Sequence, residues 1–506
     1  MTKILKNNLK HKVLKNVFYN FLTTLISRIG ALIFTIIVAR FLFPELFGIY
    51  NLALTIILTI ATFTDLGLNT TLIRYLAESL KKKKAEKEAR ARVAFLFNFK
   101  IFLTAIIAFL LFFFAKQIAI YIFNKSSLIL PLQIGAIYLF VISLQGFLTS
   151  IFFAVQKVKY NALAEIIFQV SRIALVLIFF SFYKNVESVF IALSIAISIS
   201  CAFLFSILSL KYRFLIKGEK QELSAEEKKR LLGFFSWLTI SSISLVFFVH
   251  VDTFMLGIFL PAEFVGFYHA IFAIVGSVAS FVAFGSVLLP VFTQLEEGRL
   301  EKGFKKVFHY TALIAIPAAV GLICVIVPAI RIIYGQAYTP AQYNLAIKIT
   351  SALLSLLVIE SAFSPAYAAL FQAREKPKIP AILIVIATIA NIILNYAFIK
   401  AGLLIAPQYG MVAVAFATLL VRYGNMASLA VLARKKLKIK ANIASIAKPL
   451  LASAIMLAFL FAFDYFINLN ILTGILMIIA AVLVYFFALW IIKGVSKEDF
   501  ELIRRF

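Results

Sequence analysis

Acidic side chains are scarce in this sequence. Only four aspartates occur, Asp65, Asp252, Asp464 and Asp499, and Asp and Glu together number 22 against 50 Lys and Arg in 506 residues. Membrane glycosyltransferases that work at an outer face need carboxylates on sizeable exposed loops, so this composition argues against glycan bond formation. Cysteine is nearly absent: Cys201 and Cys324 both lie inside apolar runs, which excludes a disulfide framework and paired zinc spacing. No G-x-x-x-x-G-K-[ST] loop is present, so ATP is not bound in that way. The alternating segments of about ten residues that mark a membrane β-barrel are also missing. At 14% charged residues the chain does not read as an ordinary soluble domain. The expectation is a protein with no catalytic residues, no cofactor and no resident metal, and not an enzyme.

What is present is apolar length. Hydrophobic residues make up 63% of the chain and the mean hydropathy is +1.02. Windows of about 20 residues without charge recur, each long enough to cross the roughly 30 Å hydrocarbon core as a helix. Fourteen spans are predicted, at about 17–40, 46–70, 93–115, 128–155, 162–182, 186–210, 233–259, 264–290, 308–334, 342–371, 378–400, 410–432, 446–466 and 470–493. The basic N-terminus precedes an apolar run from about Val17 to Val38, too long for a signal-peptide core, so it is expected to stay as the first helix.

The net charge of +28 acquires its meaning from that count. Of the fifty Lys and Arg, 38 fall on the side of the N-terminus, six on the other side (Arg40, Lys116, Lys125, Lys184, Arg331 and Lys400) and six within spans or at their ends. The positive-inside rule then predicts both termini in the cytoplasm of a multi-pass protein of the inner membrane. The run Lys81-Lys82-Lys83-Lys84 reads as a topology signal and an anchor for anionic lipid rather than a nucleic-acid patch.

A turn is repeated. Arg40-Phe41-Leu42-Phe43-Pro44-Glu45-Leu46-Phe47-Gly48-Ile49-Tyr50 returns about 218 residues later as Phe259-Leu260-Pro261-Ala262-Glu263-Phe264-Val265-Gly266-Phe267-Tyr268. The expected architecture is therefore an all-α membrane protein with two parallel six-helix lobes and two C-terminal helices. The boundaries are an N-terminal lobe at 1–210, a cytoplasmic linker at 211–232, a C-terminal lobe at 233–440, and the last two spans with a cytoplasmic tail at 441–506.

Polar residues inside the spans recur at helical spacing. Span one carries Asn20, Thr24, Ser27, Arg28 and Thr35 on one face; span two is read as one helix with Asn51, Thr55, Thr59, Thr62, Asp65 and Asn69 in line. Span five carries Glu165, Gln169 and Arg172; span ten carries Lys348 with Ser351 and Ser355, then Glu360 with Ser364 and Tyr367. Span eleven has Asn391 and Asn395, and span twelve Thr418, Arg422 and Asn425. A charge at the bilayer centre costs about 2.5–3.5 kcal/mol on insertion scales, so each should face a partner or a cavity. One reading makes the stripes interhelical pairs, with Glu165 or Glu360 neutralising an arginine. The other leaves cationic charge over, because near-midplane arginines outnumber acids. Arg28, Arg172 and Arg422, with Lys348 and Asn391, would then bind an anionic substrate, guanidinium forks suiting phosphate oxygens. Asp65, Glu165, His250, Asp252 and Glu360 are candidates for coupling to Na+ or H+, with a structural role as the alternative for His250 and Asp252.

These motifs resemble the oligosaccharide flippases of the multidrug/oligosaccharidyl-lipid/polysaccharide exporter superfamily, over essentially the whole chain. The most specific parts are Ala39 to Tyr50, then Asp65-Leu66-Gly67-Leu68-Asn69 leading to Arg74-Tyr75-Leu76-Ala77-Glu78, and Asp252-Thr253-Phe254-Met255-Leu256-Gly257 leading to Val265-Gly266-Phe267-Tyr268. The resemblance implies two six-helix lobes around a V-shaped central cavity and outward flipping of a polyprenyl-diphosphate-linked glycan by alternating access. It implies a lipid-tail role for the last two helices. A monomer is expected, without nucleic acid. Phe43-Pro44 replaces the Gly-Pro of many relatives, and His250 stands where many have arginine. The alternatives are a cation-coupled multidrug exporter, a peptidoglycan lipid-precursor flippase, or, from another class, a membrane-embedded glycan polymerase or ligase.

Overall fold

The computed structural model describes residues 2–80, 86–217, 222–233, 235–283, 288, 292–442, 444–466 and 470–494. The Lys81–Lys84 run lies outside these residues, as does Asp499. Among the described residues the secondary structure is helical throughout. The helices are α1 (Thr2–Thr62), α2 (Leu68–Ser79), α3 (Glu86–Gln117), α4 (Ile129–Ala154), α5 (Lys159–Phe182), α6 (Val186–Lys211), α7 (Ala225–Gly233), α8 (Phe235–Phe259), α9 (Ala262–Val282), α10 (Glu297–Ile333), α11 (Asn344–Ala373), α12 (Lys378–Leu403), α13 (Pro407–Lys436), α14 (Ala444–Phe466) and α15 (Ile471–Ile491).

Twelve helical stretches among the described residues are long and apolar enough to cross a membrane, and 243–259 is a shorter apolar one. The first stretch, Phe18–Thr62, is two spans in one. Phe43 breaks α1 with φ 57° and ψ 172°, and Pro44, which lacks an amide donor, begins the second segment. Counted so, the stretches are the fourteen spans expected from hydropathy.

The second copy of the turn behaves likewise, with α8 ending at Phe259 and Pro261 standing just before α9. Lipid-facing positions carry bare aliphatic and aromatic side chains: Phe109, Phe113, Leu472, Leu483 and Phe487 are all exposed on the protein. In water such surface would be an interaction patch; in hydrocarbon it costs nothing.

By internal contacts the chain forms two compact units, Met1–Ile258 and Phe259–Phe506. In the N-terminal unit α4 packs on α2, α3 and α6, and α5 lies between α1 and α6. At its base, Leu72, Leu76, Leu96, Phe147 and Phe152 form a shared core. In the second unit α13 packs against α11 and α12, and α10 against α11 and α14. Phe304, Phe308, Phe363 and Tyr367 interlock there.

One expected helix is not continuous. Span two stops at Thr62, and after a turn through Phe63–Gly67 a new helix begins at Leu68. Leu66 (φ 44°) and Gly67 (φ 83°) are both left-handed, which ends a right-handed helix. Asp65 and Asn69 therefore do not continue the Thr55–Thr62 stripe. Asp65 Oδ1 instead accepts the Asn69 amide at 3.0 Å, capping the first turn of α2.

Candidate functional site

The N-terminal unit buries an arginine on α5. Glu165, Gln169 and Arg172 lie at offsets of four and seven, so they share one helical face. That face meets α1 at Gly30 and Phe34. A methyl group on Gly30 would come within 2.2 Å of Gln169 Oε1, so a larger residue here displaces the Gln169 side chain. Gln169 Nε2 donates to Glu165 Oε1 at 2.6 Å. The Arg172 guanidinium lies over the rings of Phe34 (4.6 Å) and Phe168 (5.0 Å), which hold its plane by cation–π attraction.

Arg172 is 9% exposed, yet its Nε and Nη2 have no hydrogen-bond partner among the described residues. Glu165 and the hydroxyls of Tyr50 and Tyr138 are close enough to act on it electrostatically, and no carboxylate is in ion-pair contact with it among the described residues. Buried donors left open in this way are costly unless something fills them.

The second unit treats its arginine differently. Arg422 on α13 forms an ion pair with Glu360 on α11, Nη1 to Oε2 at 3.7 Å, with Glu360 almost fully buried. Tyr423 beside it donates to the Leu356 carbonyl at 2.8 Å, tying α13 to α11. Asn395 Nδ2 donates to Asn391 Oδ1 at 2.9 Å, so these two buried amides partly satisfy each other along α12. Lys348 is exposed while Ser351 and Ser355, one and two turns on, are buried. The three do not share one environment, and the span-ten stripe divides there.

Arg28 is exposed on α1, as are Asn20 and Thr24 on the same face. It stands two residues from Gly30, or about 200° around the helix, so it points away from α5 and Arg172. His250 is half-buried and Asp252 buried on α8, within the N-terminal unit. The structure thus brings together Glu165 with Arg172, and Glu360 with Arg422, and leaves Arg28, Lys348 and the α8 pair elsewhere.

Three polar features were not singled out from sequence. Lys100, in the middle of α3, is buried and donates to Thr64 at the α1–α2 break. Lys125, in the loop after α3, donates to the Gly257 carbonyl at 2.6 Å and so closes the last turn of α8. Burial pushes the Lys125 ammonium below its usual range. Gly257 itself faces Leu52 of α1, where a Cβ would come within 2.6 Å. On the α2 side, Arg92 binds Glu88, Glu227 of α7 at 3.1 Å, and Ser79 Oγ at 2.9 Å, pinning α7 to the N-terminal unit. A lone cation in an otherwise apolar run was the available signal for Lys100; the other two depend on partners more than 100 residues away.

Fourteen apolar spans, a duplicated proline turn and buried cations on the spans define a multi-pass membrane protein. The chain belongs to the polysaccharide biosynthesis protein family, whose model matches residues 13–296. A probable lipid II flippase MurJ of Chlamydia trachomatis serovar D is 28% identical over 156 residues; the match spans 30% of this chain and 28% of that relative. An uncharacterized membrane protein of Methanocaldococcus jannaschii is 22% identical over 438 residues, 81% of each chain. In three dimensions the fold is that of a lipid II flippase MurJ solved in an inward closed conformation, with TM-score 0.76, 19% identity, and 94% and 98% of the two chains covered. It also matches an inward-facing multidrug resistance MATE family transporter of the MOP superfamily, at TM-score 0.55 and 13% identity over 84% of this chain and 94% of that one.

Proposed function

We propose that this protein is a flippase that carries a polyprenyl-diphosphate-linked oligosaccharide from the inner to the outer leaflet of the cytoplasmic membrane by alternating access. The observation that carries the reading is Arg172, a buried guanidinium with two open donors and no acid in ion-pair contact among the described residues. A diphosphate supplies paired acceptor oxygens with the matching charge, and charge-assisted bonds to them are among the stronger ones available. Arg28, exposed on the first helix, is the second phosphate contact, presented at a different stage of the cycle from Arg172. Lys348 and Asn391 contact the glycan, and Arg422 serves the site only where Glu360 releases it.

Both termini are cytoplasmic in this reading, and the working lobes are 1–210 and 233–440 joined by the 211–232 linker. Anionic lipid at the cytoplasmic loops fixes the topology. The lipid tail occupies the apolar cavity of about 370 Å³ that Leu313, Pro317, Met456, Ile478 and Val482 help to line. An anion leaving a cell that is negative inside gains about 2.3 kcal/mol per charge per 100 mV, so the membrane potential alone biases export of a diphosphate. Coupling to Na+ or H+ through Glu165, His250, Asp252 or Glu360 adds to that drive without being required.

A peptidoglycan lipid precursor is the second reading, favoured by the likeness to the named lipid II flippases. It shares the polyprenyl diphosphate and differs in the glycan. Complementation of flippase-deficient strains, each blocked for one lipid-linked glycan, separates the two. Rescue of an oligosaccharide-export strain but not of the peptidoglycan-precursor strain supports the first; rescue of neither strain, with export of cationic dyes, contradicts both.

A further inference from the structure

The break between α1 and α2 leaves backbone carbonyls outside a helical ladder, within a chain that crosses hydrocarbon. An unsatisfied carbonyl there costs several kcal/mol. Broken membrane helices commonly solve the problem by coordinating a small cation on the freed carbonyls.

Here the position is already filled from within the protein. Lys100 of α3 is 1% exposed, and its Nζ donates to the Thr64 carbonyl at 2.8 Å and lies 3.4 Å from Thr64 Oγ1. Thr64 Oγ1 is bonded in turn to Ser143 Oγ, which lies 3.2 Å from Thr104 Oγ1. Asp65, next in the chain, is within electrostatic reach of the lysine. Asn69 Oδ1, at the start of α2, is buried without a hydrogen-bond partner. The carbonyl and hydroxyl of Thr64 thus meet the ammonium directly, backed by the Ser143 and Thr104 hydroxyls and, nearby in the break and at the start of α2, by the Asp65 carboxylate and the Asn69 amide oxygen, donors of the kind hard cations prefer. A buried ammonium without such a set would be strongly disfavoured.

We propose that the Lys100 ammonium is a tethered cation occupying a monovalent-cation site at the α1–α2 break, so that this site needs no free Na+ and Asp65 does not couple transport to one. The inference does not depend on the substrate, and it removes Asp65 from the ion-coupling candidates while leaving the others.

Thermal unfolding of the purified full-length protein, compared in NaCl, KCl and choline chloride at equal ionic strength, tests it. Wild type and Asp65→Asn are expected to respond alike to the three salts, since the site at the break binds no free sodium. Lys100→Ala is expected to melt lower in choline and to recover on the order of 2 °C or more in sodium or in methylammonium, since a ligand that binds only the folded state raises its stability. Asp65→Asn in the Lys100→Ala background is expected to abolish that recovery. Two results would overturn the proposal: sodium stabilising the wild type but not Asp65→Asn, or a folded Lys100→Ala indifferent to every cation. Should Lys100→Ala fail to fold in all salts, the comparison of wild type with Asp65→Asn stands alone: a response to sodium that is the same in both, or absent from both, supports the proposal, and a response that Asp65→Asn abolishes rejects it.

Discussion

Arg172 and Arg422 sit on α5 and α13, the fifth and twelfth spans, each one or two turns from polar residues on the same face, and the two units deal with them in opposite ways. The second unit supplies Glu360 from a neighbouring helix and closes an ion pair. The N-terminal unit supplies two aromatic faces and an acid, Glu165, that is engaged with Gln169. A pair of charges in contact holds helices together; a charge packed on rings, with its nearest acid at a distance, keeps hydrogen-bonding capacity at Nε and Nη2 for something else. The proposed function rests on that difference, with Arg422 as a structural partner and Arg172 as the ligand contact, although their spacing on the sequence looks alike.

Breaking the pair is the harshest way to erase that contrast. Glu360→Ala takes the carboxylate away from the half-buried Arg422, and is expected to destabilise the folded protein by about 3 kcal/mol, read as a drop in denaturation midpoint. Adding Arg422→Met with Glu360→Leu is expected to return stability to near wild type, because well-packed apolar residues replace a buried pair at little cost. Arg172→Gln, by contrast, is expected to leave stability unchanged or slightly higher while reducing flipping in proteoliposomes about tenfold to a hundredfold, the worth of charge-assisted bonds of ~1.5–3 kcal/mol. Gly30→Val sharpens the comparison from the side of geometry: it forces Gln169 out of its place beside Glu165 and is expected to cost about 1–3 kcal/mol by overpacking. Lys125→Ala removes only the bond that closes the end of α8, and is expected to cost about 1 kcal/mol with little effect on the Arg172 site.

Much of this architecture is legible before any coordinates. Hydropathy counts the spans because each must satisfy its own backbone in lipid, and proline at 44 and 261 marks the duplicated turn because it cannot continue a helix backwards. The break at Phe63–Gly67 is harder to read. Gly67 and a capping Asp65 are its signals, but Leu66, a residue that rarely turns left-handed, sits between them in a run that otherwise looks like continuous helix. Lys100 was hidden for a related reason: helical spacing orders residues on one helix, whereas its acceptor lies in the break of another. Spacing also brings Arg172 and Arg422 to notice equally, and only the packing of α11 on α13 distinguishes the paired one from the open one.

The most direct test compares the two arginines in one assay. Wild type, Arg172→Gln, and the Arg422→Met, Glu360→Leu double variant are reconstituted in vesicles at matched protein density, and the transbilayer movement of a polyprenyl-diphosphate-linked glycan is followed. Loss of flipping in Arg172→Gln with retention in the double variant is the predicted result. Flipping that survives in Arg172→Gln and fails in the double variant would contradict the assignment of recognition to the N-terminal unit.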